Sequence, residues 1–171
     1  MSKLPSPFIH EPHGDLPVLL SVPQTGPAPA PGPAPDPINA CLIVTKQDAV
    51  TAVDEDLRDG KSSVAGRSVV PGTAASSCEY SGRGLHTVQV HVWRALPAGA
   101  TRLKRTFLTN CEKRETAGLT GLGDGACWYS AGRDEVQLLK GVTLVDIVVR
   151  KNGDATEALK SLVKAALGRL P

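Results

Sequence analysis

Eleven of the 14 prolines in this 171-residue sequence precede Ile38, leaving Pro71, Pro97 and Pro171 for everything after it. Proline fixes φ and carries no backbone donor, so a proline-dense run builds neither helix nor ladder. The stretch Pro23 to Pro37, PQTGPAPAPGPAPDP, is therefore expected to rest as polyproline II. At about 3.1 Å per residue it is a semi-rigid spacer on the order of 45 Å long. This segregation divides the chain into an N-terminal tail and tether, residues 1–37, and a folded domain, residues 38–171.

Residues 1–22 do not read as a signal peptide, because no basic segment leads into an unbroken apolar stretch. Phe8, Ile9 and the Leu16–Leu20 cluster are nonetheless apolar for a solubilising terminus. Two readings stand: an unstructured chain end, or a short peptide that docks through Phe8 and Ile9 and ties the domain to a partner. His10, Glu11 and His13 lie outside any helical pattern and offer no preorganised geometry, so no metal site is expected there.

Lys and Arg total 19 against 17 acidic residues, a formal charge of +2. That excess is too small for a binder of nucleic acid driven by counterion release. No apolar run approaches the roughly 20 residues needed for a transmembrane helix. Hydrophobic residues make up 41% of the chain, enough for one core.

Within the domain, hydrophobic periodicity predicts three helices and about five strands. Thr45 caps a helix reaching about Leu57, with Ala49, Val50, Val53 and Leu57 on one face. Residues 60–76, rich in Gly and Ser, read as loop. Cys78–Ser81 and the alternating run Leu85–Trp93 read as a hairpin around Gly82-Arg83-Gly84. A second helix spans Gly99 to Glu115, with Leu103, Phe107 and Cys111 on its apolar stripe and a basic outer face. Strands follow at Cys127–Ser130, Glu135–Lys140 and Val142–Arg150. Asp154 and Glu157 form a capping box for a last helix ending at Gly168. The phrase C-x-Y-S occurs at Cys78 and again at Cys127, raising a possible internal duplication. The expected fold is α+β in two layers, a single antiparallel sheet with three helices on one face.

The four cysteines, Cys41, Cys78, Cys111 and Cys127, form no C-x-x-C pair and no zinc-spaced cluster. Three pairings are open, and four buried free thiols are a further alternative. The favoured pairing is Cys41–Cys78 with Cys111–Cys127, each bond pinning a helical element to the sheet. Disulfides imply an oxidising compartment, hence a secreted or periplasmic protein.

INACLIVTKQDAVTAV, SSCEYSG and GLGDGACWYS, with the strand pair and amphipathic helix after them, cover about 130 residues. Together they resemble small exported bacterial α+β domains, often lipoproteins on a proline-rich stalk, to many of which no function is attached. The resemblance implies a disulfide between a cysteine-led helix and a strand, and attachment to the cell envelope. It supplies no catalytic residue, and this sequence has no lipobox cysteine near its start.

No constellation for chemistry emerges. Gly121-x-Gly123-x-Gly125 precedes a strand, not a helix, and lacks a phosphate-binding lysine, so its glycines and Asp124 read as turn residues. His86 and His91 fall on opposite faces of one strand; His86 reads as a hydrogen-bonded structural histidine. Ser77 and Ser130 lack a nucleophile-elbow context. Asp146, in an apolar strand, calls for a cross-strand partner such as His91 or Arg94. Neither catalysis nor a cofactor is expected.

Binding is favoured instead. Strand parity, if Cys78 and Cys127 both face the helices, places Glu79, Gln89, His91, Trp93, Trp128 and Leu144 on the uncovered face. Two tryptophans among polar groups there read as a recognition surface for a protein partner. The alternative is that the 60–76 loop or the tail covers that face as a minor core. The function expected is a non-enzymatic extracytoplasmic binding or accessory subunit tethered to a larger partner. A secreted inhibitor-like module is the alternative, and a small hydrolase or ligand carrier is less favoured.

Overall fold

The computed structural model describes residues 36–65, 72–84 and 86–171. The tail with Phe8 and Ile9, and part of the 60–76 stretch, lie outside the described residues. In chain order the elements are α1 (Ala40–Ile43), α2 (Lys46–Val53), β1 (Lys61–Ala65), β2 (Thr73–Ser81), β3 (Thr87–Ala95), α3 (Pro97–Cys111), β4 (Gly125–Trp128), β5 (Glu135–Lys140), β6 (Thr143–Arg150) and α4 (Thr156–Arg169). The fold is α+β, with one open antiparallel sheet in the order β1-β2-β3-β6-β5-β4.

Six strands and four helices, among the described residues, stand where about five and three were expected. The extra elements have weak sequence signals. Edge strand β1 is KSSVA, with Lys61 to Val64 all exposed, so it has no apolar alternation to reveal it. Helix α1 is one turn long, too short for a period, and begins where the Asn39 side chain accepts the Cys41 N–H at 3.0 Å.

Thr45 does cap α2, and Asp48 completes a reciprocal box with it. The helix stops at Val53 because Asp54 turns left-handed, φ 55°. At α4 the expected box is not made. The Asp154 carboxylate accepts the Thr156 N–H at 2.8 Å, while Glu157 pairs with Lys160 instead.

The larger correction concerns the faces. Helices α1, α2 and α4 pack with Cys78, Tyr80, Val88, Val90, Val92, Val145, Ile147 and Val149 into the main core. Helix α3 packs Leu103 and Phe107 on Ala95, Cys127, Leu139 and Leu144, which alternate with those residues and so point the other way. The sheet therefore carries helices on both sides: α3, expected beside the other helices, lies on the opposite face. A signal for this exists in β6, whose run Thr143–Val149 is buried at every position. An unbroken buried run marks a strand with both faces covered, where a half-wet strand would alternate.

Two disulfides clamp these layers: Cys41–Cys78 joins α1 to β2, and Cys111–Cys127 joins α3 to β4, with Cα separations of 5.1 and 5.8 Å. The favoured pairing is the one found. However, Cys78 faces the main core and Cys127 the second face, so the two C-x-Y-S phrases are not equivalent in orientation. Their tyrosines differ too. The Tyr80 hydroxyl donates to the buried Val44 carbonyl at 2.6 Å, whereas the Tyr129 ring lies under the Arg114 guanidinium at 5.3 Å.

Candidate functional site

Helix α3 lies over one end of the second face; beyond it Gln89, His91, Trp93 and Glu135 are half-buried and Glu79 is exposed. Antiparallel register sets its rows. Ser77, His91, Asp146 and Gln137 stand directly opposite one another across β2, β3, β6 and β5, and Cys127 of β4 ends the row. On the α3 side runs Ala75–Trp93–Leu144–Leu139, and on the far side Glu79–Gln89–Val148–Glu135. Direct cross-strand neighbours sit about 5 Å apart at Cβ and diagonal ones about 7–8 Å.

Of the residues singled out from the sequence, four come together here. Trp93 and His91 are half-buried and stack, ring centroids 6.0 Å apart and planes 27° from parallel. Gln89 donates to the Glu79 carboxylate at 2.8 Å in the adjoining row. Two others do not belong. Leu144 is on the right face but only 3% exposed, sealed beneath Leu103 and Phe107 of α3. Trp128 lies on the opposite face, 2% exposed in the main core, its indole N–H donating to the Ala117 carbonyl at 3.0 Å. The parity inference failed for Trp128 because it assumed that Cys127, like Cys78, faced the larger helical layer.

Asp146 is the residue that changes the character of the site. Its cross-strand partner in register is His91, as anticipated, and Arg94 is opposite Thr143. On its other side β5 places Gln137 directly opposite Asp146 and Glu135 diagonal to it. Gln137 is in turn held by the Asn110 amide of α3, which donates to its Oε1 at 3.1 Å. Burial, then the charge of Glu135 and a shared hydrogen bond with it, push the Asp146 carboxyl up to about 8, so near neutrality it carries a proton. Asp146 is 8% exposed and its Oδ1 has no hydrogen-bond partner among the described residues. Glu135 and Gln137 carry no signal of this in the sequence: alternating with Val136 and Leu138, they read as the wet side of a strand.

The remaining chemical candidates resolve structurally. His86 contacts Glu55 through Nδ1, and its Nε2 accepts the Asn152 N–H at 3.2 Å, so both ring nitrogens are occupied. In the glycine turn, Gly121 and Gly123 have φ of 81° and 59°, and a Cβ on Gly123 would meet the Leu139 carbonyl at 2.5 Å. Asp124 accepts the Gly141 N–H at 2.6 Å, bracing the β5–β6 turn. No group of three metal-ligating side chains occurs among the described residues. Nor, among them, is any helix long and apolar enough to cross a membrane.

No family model matches the chain, and no curated protein is significantly similar to it.

Proposed function

We propose that the domain is a non-enzymatic, extracytoplasmic binding or accessory subunit, tethered to a larger protein partner by the proline-rich stretch before Ile38. The observation that carries this reading is the half-exposed His91–Trp93 stack, set beside polar groups on the part of the sheet α3 leaves free. A tryptophan in that position combines apolar area with a flat face, the usual make-up of an interface anchor. The two disulfides favour an oxidising compartment.

The test is site-specific photocrosslinking in cells that produce the full chain. Benzoylphenylalanine in place of Trp93 or Gln89 is expected to give one adduct of defined mass. The same group in place of Lys164, exposed on α4, is expected to give none. Absence of an adduct at both sheet positions, or the same adduct at all three, would overturn the proposal.

A further inference from the structure

A carboxyl group on a central strand, with an unsatisfied buried oxygen and a second carboxyl diagonal to it, is costly to keep. Among the described residues neither Asp146 nor Glu135 has a cationic partner. The nearest cation on β6, Arg150, is turned to Asp134 at 3.4 Å. The buried Asp146 carboxyl, with Glu135 diagonal to it on β5, therefore lies without a counter-charge.

The surroundings define what that counter-charge should look like. On one side of Asp146 stand His91, directly opposite, and Trp93, diagonal to it, with their rings close to parallel. On the other side stands Glu135, half-buried and open to solvent, diagonal on β5. Gln137, fixed by Asn110, closes the third side. A flat cationic group suits such surroundings, because it can stack on a ring and fork its donors to carboxylate oxygens.

We infer that this carboxyl pair and its aromatic wall form the seat for an arginine side chain presented by the protein partner. The inference rests on the binding reading above and deepens it. The guanidinium enters at Glu135; Asp146 ionises and its proton passes to water. Its formerly unpartnered oxygen gains a donor. A lysine supplies the charge without the fork or the plane, and binds more weakly.

The titratable groups facing the pair are His91 from β3 and, one row away, Glu79 from β2; α3 reaches it through the neutral Asn110. The assay uses the isotope-labelled full chain and three blocked tripeptides, Gly-Arg-Gly, Gly-Lys-Gly and Gly-Gln-Gly, followed by NMR. The arginine peptide is expected to shift the Trp93 indole and the 135, 137 and 146 amides saturably. The glutamine peptide should not do so, and the lysine peptide should bind several-fold more weakly.

Affinity should rise by about tenfold or more from pH 6 to pH 9 as Asp146 gives up its proton. His91→Gln should keep that rise. Glu135→Gln, at a half-exposed position that leaves the fold intact, and Asp146→Asn should each abolish the shifts. Equal response to the glutamine peptide, no response to arginine, or full binding by both carboxyl variants would overturn the assignment. If arginine fails while position 93 still crosslinks, the arginine seat is wrong and the binding surface stands. Loss of the crosslink with arginine binding retained would count against the binding reading alone.

Discussion

Trp128→Ala separates the two faces of the sheet most sharply. The indole sits on β4, opposite Val136, 2% exposed, with its N–H bonded to the Ala117 carbonyl and the Arg133 guanidinium 5.8 Å above its ring. Strand β4 is a four-residue edge, so this side chain is a principal anchor of that edge to the core. Truncating a buried tryptophan costs about 3–5 kcal/mol, and the stranded Ala117 carbonyl adds about 1 kcal/mol. Against a total stability on the order of 5–15 kcal/mol, the variant should be close to unfolding. Trp93→Ala, at a half-buried position, should cost about 1–2 kcal/mol. Trp128→Phe keeps most of the apolar volume and should lose about 1–2 kcal/mol, largely the N–H bond. Urea unfolding followed by far-ultraviolet circular dichroism measures all three, since tryptophan fluorescence is altered by the substitutions. With m near 2 kcal/mol/M the Trp128→Ala midpoint should fall by about 2 M or more. A fall no larger than that of Trp93→Ala would refute the placement of Trp128 in the core.

Three further outcomes are expected. Asp146 binds its proton more tightly folded than unfolded, so its contribution to stability is full below about pH 4 and is lost as pH rises to about 8; Asp146→Asn should flatten that part of the pH–stability curve measured in urea. Replacing both cysteines of a pair by alanine should cost about 4 kcal/mol for the 37-residue Cys41–Cys78 loop and about 3 kcal/mol for the 16-residue Cys111–Cys127 loop. Thermal melts under non-reducing conditions would show it, and unchanged melting would refute the crosslinks. Gly60→Ala should destabilise by about 1–3 kcal/mol, because a Cβ there would lie 2.6 Å from the Tyr80 ring and 2.7 Å from the Cys78 sulfur; a neutral effect in the same melts would count against this close approach.

What could be read locally was read well. Thr45 caps α2, the stripe Leu103–Phe107 is the buried side of α3, and the strand runs ending at Trp93, Lys140 and Arg150 are strands. The site was legible in part: alternation put Glu79, Gln89, His91 and Trp93 on one face, and register made His91 the neighbour of Asp146. Glu135 and Gln137 were overlooked, since a polar residue in a strand looks solvated until the neighbouring strand is known.

The sequence alone determined periodicity, the Thr45 cap and which residues share a face within one strand, because these follow from local backbone geometry. It could not say which face of one strand continues which face of another. That depends on strand order and on where α3 docks. Cys78 and Cys127 carry the same local phrase, yet one points to α1 and the other to α3. Only the assembled sheet decided that Trp128 is core, that Leu144 is sealed, and that Asp146 stands between His91 on one side and Gln137 on the other. The reason is physical: parity is a property of a single strand, while burial belongs to whatever the rest of the chain lays across it.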